Sequence, residues 1–168
     1  IFACSGILFN HESPLRGEEF VTRKIVKNLC EIKIGKRKYL ELGNLNAKRD
    51  WGYAKDYVEA MWKMLQKKRA DDYVIATNKA YSIRYFVNQC CKYLKIKLKW
   101  AGKGIFEKGI DTNTNKIIIK INPKYFRPAE VSYLKGNYSK AKRELKWRPK
   151  TNISKLIKIM IDEELKRL

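Results

Sequence analysis

A single histidine and three loop arginines carry most of the chemistry this sequence can offer. His11 stands between Asn10 and Glu12, where an apolar run from Ile1 to Phe9 stops and Ser13-Pro14 turns the chain. Every reactive group in this segment follows the carboxyl end of a strand pattern, which is where ligands bind in open parallel α/β sheets. A lone turn histidine has both a structural and a functional reading. Arg16, Arg49 and Arg127 fall in loop patterns. A forked guanidinium there can take phosphate through two parallel N–H bonds, or sit in a surface ion pair. Arg49-Asp50 also suits a local pair. Lys24, one turn into the helical pattern that follows, adds a point charge.

Other chemistries find no support. No Ser-His-Asp set can be assembled, and one histidine without a cysteine pair argues against zinc. Gly102-Lys103-Gly104 neither follows a strand nor opens a helix, so it fails the context a dinucleotide-binding loop requires. The cysteines at 4, 30, 90 and 91 lack metal-ligand spacing and read as buried reduced thiols. No apolar run approaches the ~20 residues of a membrane helix. No secretory signal pattern is present either, so the expectation is a cytoplasmic protein.

Lys and Arg number 38 against 17 acidic residues, a formal charge of +21. Such a charge invites nucleic-acid binding. The 28 lysines, however, are spread over the whole length, and no helix-turn-helix, zinc-finger or RNP-type strand is evident. A basic nucleic-acid-binding module stays as the rival from another class. Steering of anionic ligands, phosphates included, is the expected effect of the charge.

The elements that must position these groups alternate between strand and helix patterns. Ile1 to Phe9, without polar alternation, predicts a strand covered on both faces. Glu18 and Glu19 suit the first turn of a helix carrying Val21, Ile25, Leu29 and Ile32 inward and ending at Gly35. Tyr39 to Leu42 reads as a short strand and Gly43 to Asp50 as a loop. A second helix from Ala54 is expected to bury Val58, Met61, Trp62 and Leu65. Tyr73 to Ala76 is a strand pattern. Ser82 caps a helix with Ile83, Phe86, Val87, Cys90 and Leu94 on one side. Leu98 to Trp100 reads as another strand, Gly102 to Asn115 as irregular, and Ile117, Ile119 and Ile121 as the inner face of a half-buried strand. Ser139 is expected to cap a short helix to Trp147. Ser154 is expected to cap the last helix, with Ile157, Met160, Ile161, Leu165 and Leu168 inward. The pattern is α/β.

Five segments occur in the order seen in GDP-mannose 4,6-dehydratases: FNHESPLRGEEFVTRKI, LGNLNAKRDWGYAKDYVEAMW, YVIATNKAYSIRYFV, KYFRPAEV and GNYSKAKRELKWRPK. The first and fourth resemble that family specifically; the second is common to many nucleotide-sugar enzymes of the superfamily, and the fifth is shared more widely among extended short-chain dehydrogenases. The resemblance implies the carboxy-terminal part of such a fold. Residues 1–16 would form the core strand and the cofactor/substrate loop of the Rossmann part. Residues 17–168 would be mainly the substrate-binding domain with interleaved Rossmann strands. The chain opens at Ile1, without Met, inside a strand pattern, and reads as a portion of a longer protein.

By the same resemblance, His11 and Arg16 are NADP contacts, and Asn10, Val21, Lys24, Arg49, Arg127 and Glu130 contact the GDP-sugar. Arg49 and Arg127 would hold its pyrophosphate and Val21 would pack on guanine. The implied reaction is lyase chemistry: conversion of GDP-mannose to GDP-4-dehydro-6-deoxymannose, toward GDP-fucose and related deoxyhexoses, in a homo-oligomeric enzyme. Tyr93-x-x-x-Lys97 and Tyr138-x-x-x-Lys142 have the spacing of the family's Tyr-x-x-x-Lys pair but belong to other segments, and no glycine-rich loop is present, so no catalytic residue is assigned and the chain alone is expected to be inactive. Another GDP-sugar epimerase or reductase is the alternative enzyme. Three positions depart from the family: Leu15 for an arginine, Asn137 for an aspartate and Lys146 for a glycine.

Overall fold

The computed structural model describes residues 1–126, 129 and 131–168. Ten strands and five helices follow in α/β order: β1 (Ser5–Leu8), β2 (Asn10–Glu12), α1 (Val21–Lys33), β3 (Leu40–Leu42), β4 (Lys48–Arg49), β5 (Trp51–Tyr53), α2 (Ala54–Leu65), β6 (Asp72–Ile75), β7 (Tyr81–Ser82), α3 (Ile83–Tyr93), β8 (Leu98–Ala101), β9 (Lys108–Asp111), β10 (Lys116–Ile121), α4 (Ser139–Glu144) and α5 (Ile153–Arg167). Parallel pairing joins β1 to β6, β2 to β5 and β3 to β10. Strands β9 and β8 continue antiparallel from β10, completing a four-stranded sheet in the order β3-β10-β9-β8.

Two apolar clusters hold these elements. The larger takes the inner faces of α1, α3 and α5 and one side of the β3–β10 pair, including Ile25, Leu29, Phe86, Val87, Ile119, Ile157 and Met160. The smaller joins α2, β6 and the α4 region through Tyr57, Ala60, Met64, Tyr73, Ile75, Ala141, Leu145 and Trp147. Helix α1 ends as its pattern predicts. Gly35 takes φ of 82°, its N–H reaches the Ile32 carbonyl, and the Lys36 N–H reaches that of Glu31, a Schellman closure. Arg23 of α1 and Glu164 of α5 form a buried ion pair between the two helices. Ser82 caps α3, accepting from the Tyr85 N–H at 3.1 Å.

Several expectations are corrected. The first strand is four residues long and exposed on most of its length, with Ile7 54% accessible, because β6 is its one paired neighbour and only part of one face is packed. Glu18 and Glu19 precede α1, whose first turn holds no acid. Helix α2 is inverted: Tyr57, Ala60 and Met64 are buried, while Val58, Met61, Trp62 and Leu65 are exposed. The stretch read as irregular contains β9, and the loop before Asp50 contains β4. A register shift between Ile117 and Ile119 breaks the alternation in β10, burying Ile118 and Ile119 together. Asn152, not Ser154, caps α5 through its Oδ1 and the Lys155 N–H. Ser139 opens α4 without capping it, its N–H instead donating to Asn137 Oδ1. Leu165 is exposed, and Glu164 takes the inner position beside it. The thiols of Cys30, Cys90 and Cys91 are free and buried, as read from the sequence; Cys4 is half-buried.

Candidate functional site

Strand β2 carries the chemistry of the first segment, and its period-two geometry sorts it. Successive side chains of a strand point to opposite faces, so Asn10 and Glu12 share one face and His11 takes the other. The parallel partner β5 sets Asn10 beside Trp51 and His11 beside Gly52. Gly52 is needed there, since a Cβ would collide with the Tyr57 ring. The His11 ring packs on Tyr57 with centroids 5.3 Å apart, and its Nδ1 lies 2.9 Å from the Phe9 carbonyl. A carbonyl only accepts, so the neutral ring carries its proton on Nδ1 and leaves Nε2 as an acceptor.

On the other face lies a cavity of about 400 Å³. Asn10, Arg16, Val21, Lys24 and Arg49 all line it, five of the eight positions named from the sequence. His11 is not part of its wall. Arg127 and Glu130 lie outside the described residues. Trp51, Ile83 and Leu42 supply apolar lining, with Asn44, Lys124 and Tyr125 at the rim. The size is ordinary for a ligand pocket. Its mixture of several cations, amides and flat apolar surface suits a phosphorylated ligand with a planar ring.

Each cation is held. The Arg16 guanidinium lies over the Phe20 ring, 3.5 Å from its centroid, with Nε 3.4 Å from Glu12 Oε2. Lys24 Nζ stands 3.4 Å from the Tyr125 ring centroid. Arg49 donates from Nη1 to the carbonyls of Lys48 at 2.9 Å and Val131 at 2.5 Å. Strand β4 presents it by pairing with β7, Arg49 opposite Tyr81.

Asp50 makes no pair with Arg49. It is fully buried and accepts from Thr77 N–H and Oγ1, Asn78 N–H and Gly136 N–H. Those bonds tie the start of β5 to the turn after β6, where Asn78 has φ of 61°. Asp50 thus fixes the backbone on which Arg49 sits. Sequence reasoning missed this role, and it missed Glu12. Glu12 is 2% exposed and accepts from Thr22 Oγ1 at 2.5 Å. Burial pushes its carboxyl above the usual range, opposed by the Thr22 bond and the charges of Arg16 and His11. The alternation of β2 was the signal: a residue two after Asn10 had to share its face. Among the described residues no group of His, Cys, Asp or Glu could hold a metal ion. None of their helices is long and apolar enough to cross a membrane.

A family model described as GDP-mannose 4,6 dehydratase matches residues 1–160. The GDP-mannose 4,6 dehydratase of Drosophila melanogaster is 51% identical over 165 residues, covering 98% of this chain and 42% of the relative. That of Dictyostelium discoideum is 50% identical, covering 98% and 46%. The chain therefore spans less than half the length of these curated relatives. Among solved structures, RMD of Pseudomonas aeruginosa complexed with NADPH superposes with a TM-score of 0.78 at 18% identity, over 97% of this chain and 47% of that one. The dTDP-glucose 4,6-dehydratase of Bacillus anthracis, in complex with NAD, gives 0.73 at 21%, over 96% and 44%. At these identities the likeness establishes the fold alone.

Proposed function

The chain belongs to the GDP-mannose 4,6-dehydratase family, and from that premise we propose that it forms the GDP-sugar-binding part of an enzyme that removes water from GDP-mannose. The product would be GDP-4-dehydro-6-deoxymannose. One observation carries the reading: residues named as GDP-sugar contacts, far apart in sequence, line a single cavity. Arg49, with Arg127, would hold the pyrophosphate, Val21 packs against guanine, and Asn10 and Lys24 contact the GDP-sugar. Arg127 and Glu130 belong to the same proposed set.

The work of this chain is then positioning. Cations clamp the nucleotide and its invariant charge, and the hexose is thereby held for reaction. Glu12, itself in the cavity wall, is buried against Thr22 and Arg16. NADP fits His11 and Arg16 chemically: Arg16 Nε is a buried donor without a hydrogen bond, and His11 offers Nε2 on the face away from the nucleotide. When bound, that cofactor supplies the hydride acceptor. No residue of this chain is assigned a proton transfer, and turnover by the 168-residue chain alone is not expected. Assembly as a homo-oligomer belongs to the same proposal.

Titration of GDP into the chain tests the reading. Arg49→Ala should weaken binding ten- to hundredfold, since losing a charge-assisted bond to phosphate costs about 1.5–3 kcal/mol. Arg49→Lys should recover only part, because an ammonium lacks the fork. Unchanged affinity in Arg49→Ala would remove the clamp, and no GDP binding by the wild-type chain would remove the proposal.

A further inference from the structure

Beside the nucleotide cavity lies a second one of about 470 Å³, built from the end of α1, the turn after it and the start of β3. The two share a wall: Lys24 and Tyr125 line both. The remaining charged wall is Lys36, Arg37, Lys38 and Glu41. Four cations thus converge on one concavity. Among the described side chains, Glu41 in the wall and Glu31, which pairs with Arg37, offset them, leaving an excess of two positive charges.

Helix-end chemistry does not account for these cations. The amides of Ile34, Gly35 and Lys36 already take the carbonyls of Cys30, Ile32 and Glu31, so the last turn of α1 does not need lysine side chains to satisfy it. Lys36 Nζ instead reaches the Leu168 carbonyl at 2.7 Å, across the end of α5. Like charges held along a concave wall repel, and a compact multivalent anion relieves that repulsion.

We propose that this second cavity binds a small polyphosphate, the chemistry of inorganic pyrophosphate or of the phosphates of a nucleoside di- or triphosphate. Lys24 couples it to its neighbour. Resting on the Tyr125 ring rather than on a carboxylate, Lys24 can turn to an anion on either side, so occupants of the two cavities compete for one ammonium. The assignment of the second cavity stands without the GDP reading; the coupling depends on it.

Calorimetric titration of the chain with inorganic pyrophosphate at about 0.15 M salt separates these ideas. Two equivalents should bind. The double variant Arg37→Ala/Lys38→Ala, altered only at exposed positions of the second cavity, should weaken one equivalent by about tenfold or more and spare the other. Arg49→Ala should do the reverse, and Lys24→Ala should weaken both. GDP in place of pyrophosphate distinguishes the sources. If nucleotide phosphates fill the second cavity, two GDP bind and the double variant keeps one; if only the free anion fits, one GDP binds to both proteins. The absence of any equivalent weakened by Arg37→Ala/Lys38→Ala, or diffuse binding abolished by salt, would overturn the proposal. Loss of the Arg49-dependent equivalent alone would count against the GDP reading and leave the second cavity standing.

Discussion

Glu12 shows how much of a site one buried carboxylate can set. Its raised pKa comes first from burial, so the folded chain holds its proton more tightly than the unfolded chain does. The stability linked to that proton is present at acid pH and is lost as pH rises through the folded value. Wild type should therefore lose stability relative to Glu12→Gln as pH rises above the ordinary glutamate value of 4.5. Melting both proteins across that range checks it; parallel curves would show that Glu12 is not held protonated. Lys146 is a second residue whose conformation matters more than its side chain. It stands where the resemblance expects glycine, and its φ is 51°, in the left-handed region that costs an L-residue about 1–2 kcal/mol. Allowing for the extra freedom of unfolded glycine, Lys146→Gly should stabilise the chain by roughly 0.5–1 kcal/mol. A shift of the denaturant midpoint upward, with unchanged slope, is the expected reading. Asn137, by contrast, keeps the acceptor an aspartate would supply, taking the Ser139 N–H at 2.9 Å. Leu15 is exposed, and nothing in the structure explains it.

At the scale of elements, the sequence made helices legible and made short strands obscure. Helix α1 reads directly, because one apolar stripe faces one cluster and a glycine closes it. Helix α2 carries two stripes, Tyr57-Ala60-Met64 and Val58-Met61-Trp62-Leu65, and periodicity alone cannot choose between them. The tertiary packing chose the first. Strands of two and three residues, β2, β4 and β5, have too few positions to show a period, yet they carry Asn10, Glu12, Arg49 and Trp51 to the cavity. Their pairing depends on partners distant in sequence, held by Asp50 and its four bonds, which no local pattern encodes. The orientation of α2 is directly testable. Trp62 is 61% accessible, whereas Trp51 and Trp147 are buried and Trp100 is tied through Nε1 to Asn88. Iodide should quench a substantial part of the tryptophan emission, and Trp62→Phe should remove most of that part. A quenchable fraction that survives in Trp62→Phe would mean that α2 turns its other stripe to solvent.

At the scale of the whole molecule, the site occupies the seam between the two clusters. Trp51 packs edge-on against Phe86 of the larger cluster, at 5.3 Å between centroids. One residue later, Gly52 lies against Tyr57 of the smaller. The pair β2–β5 therefore sends alternate side chains into different cores, with the cavity lined by Asn10 and Glu12 on one side and His11 on the other. The cores differ in extent: the larger joins three helices to a four-stranded sheet, while the smaller rests on one two-stranded sheet, α2 and the α4 segment. Regions with fewer buried apolar contacts open at lower free energy. Amides in α3 and α5, such as those of Val87 and Met160, should exchange with solvent deuterium only through global unfolding. Those of β6 and α2 should exchange through a smaller opening with weaker denaturant dependence. On the proposed reading, in which GDP enters the cavity lined by α1, β4 and β5, GDP should slow exchange in the larger unit more than in α2. Native-state exchange at several denaturant concentrations measures all of this. A single opening free energy across α2, β6, α3 and α5 would show that the seam is not a boundary, and that the cavity and the His11 face rise and fall as one unit.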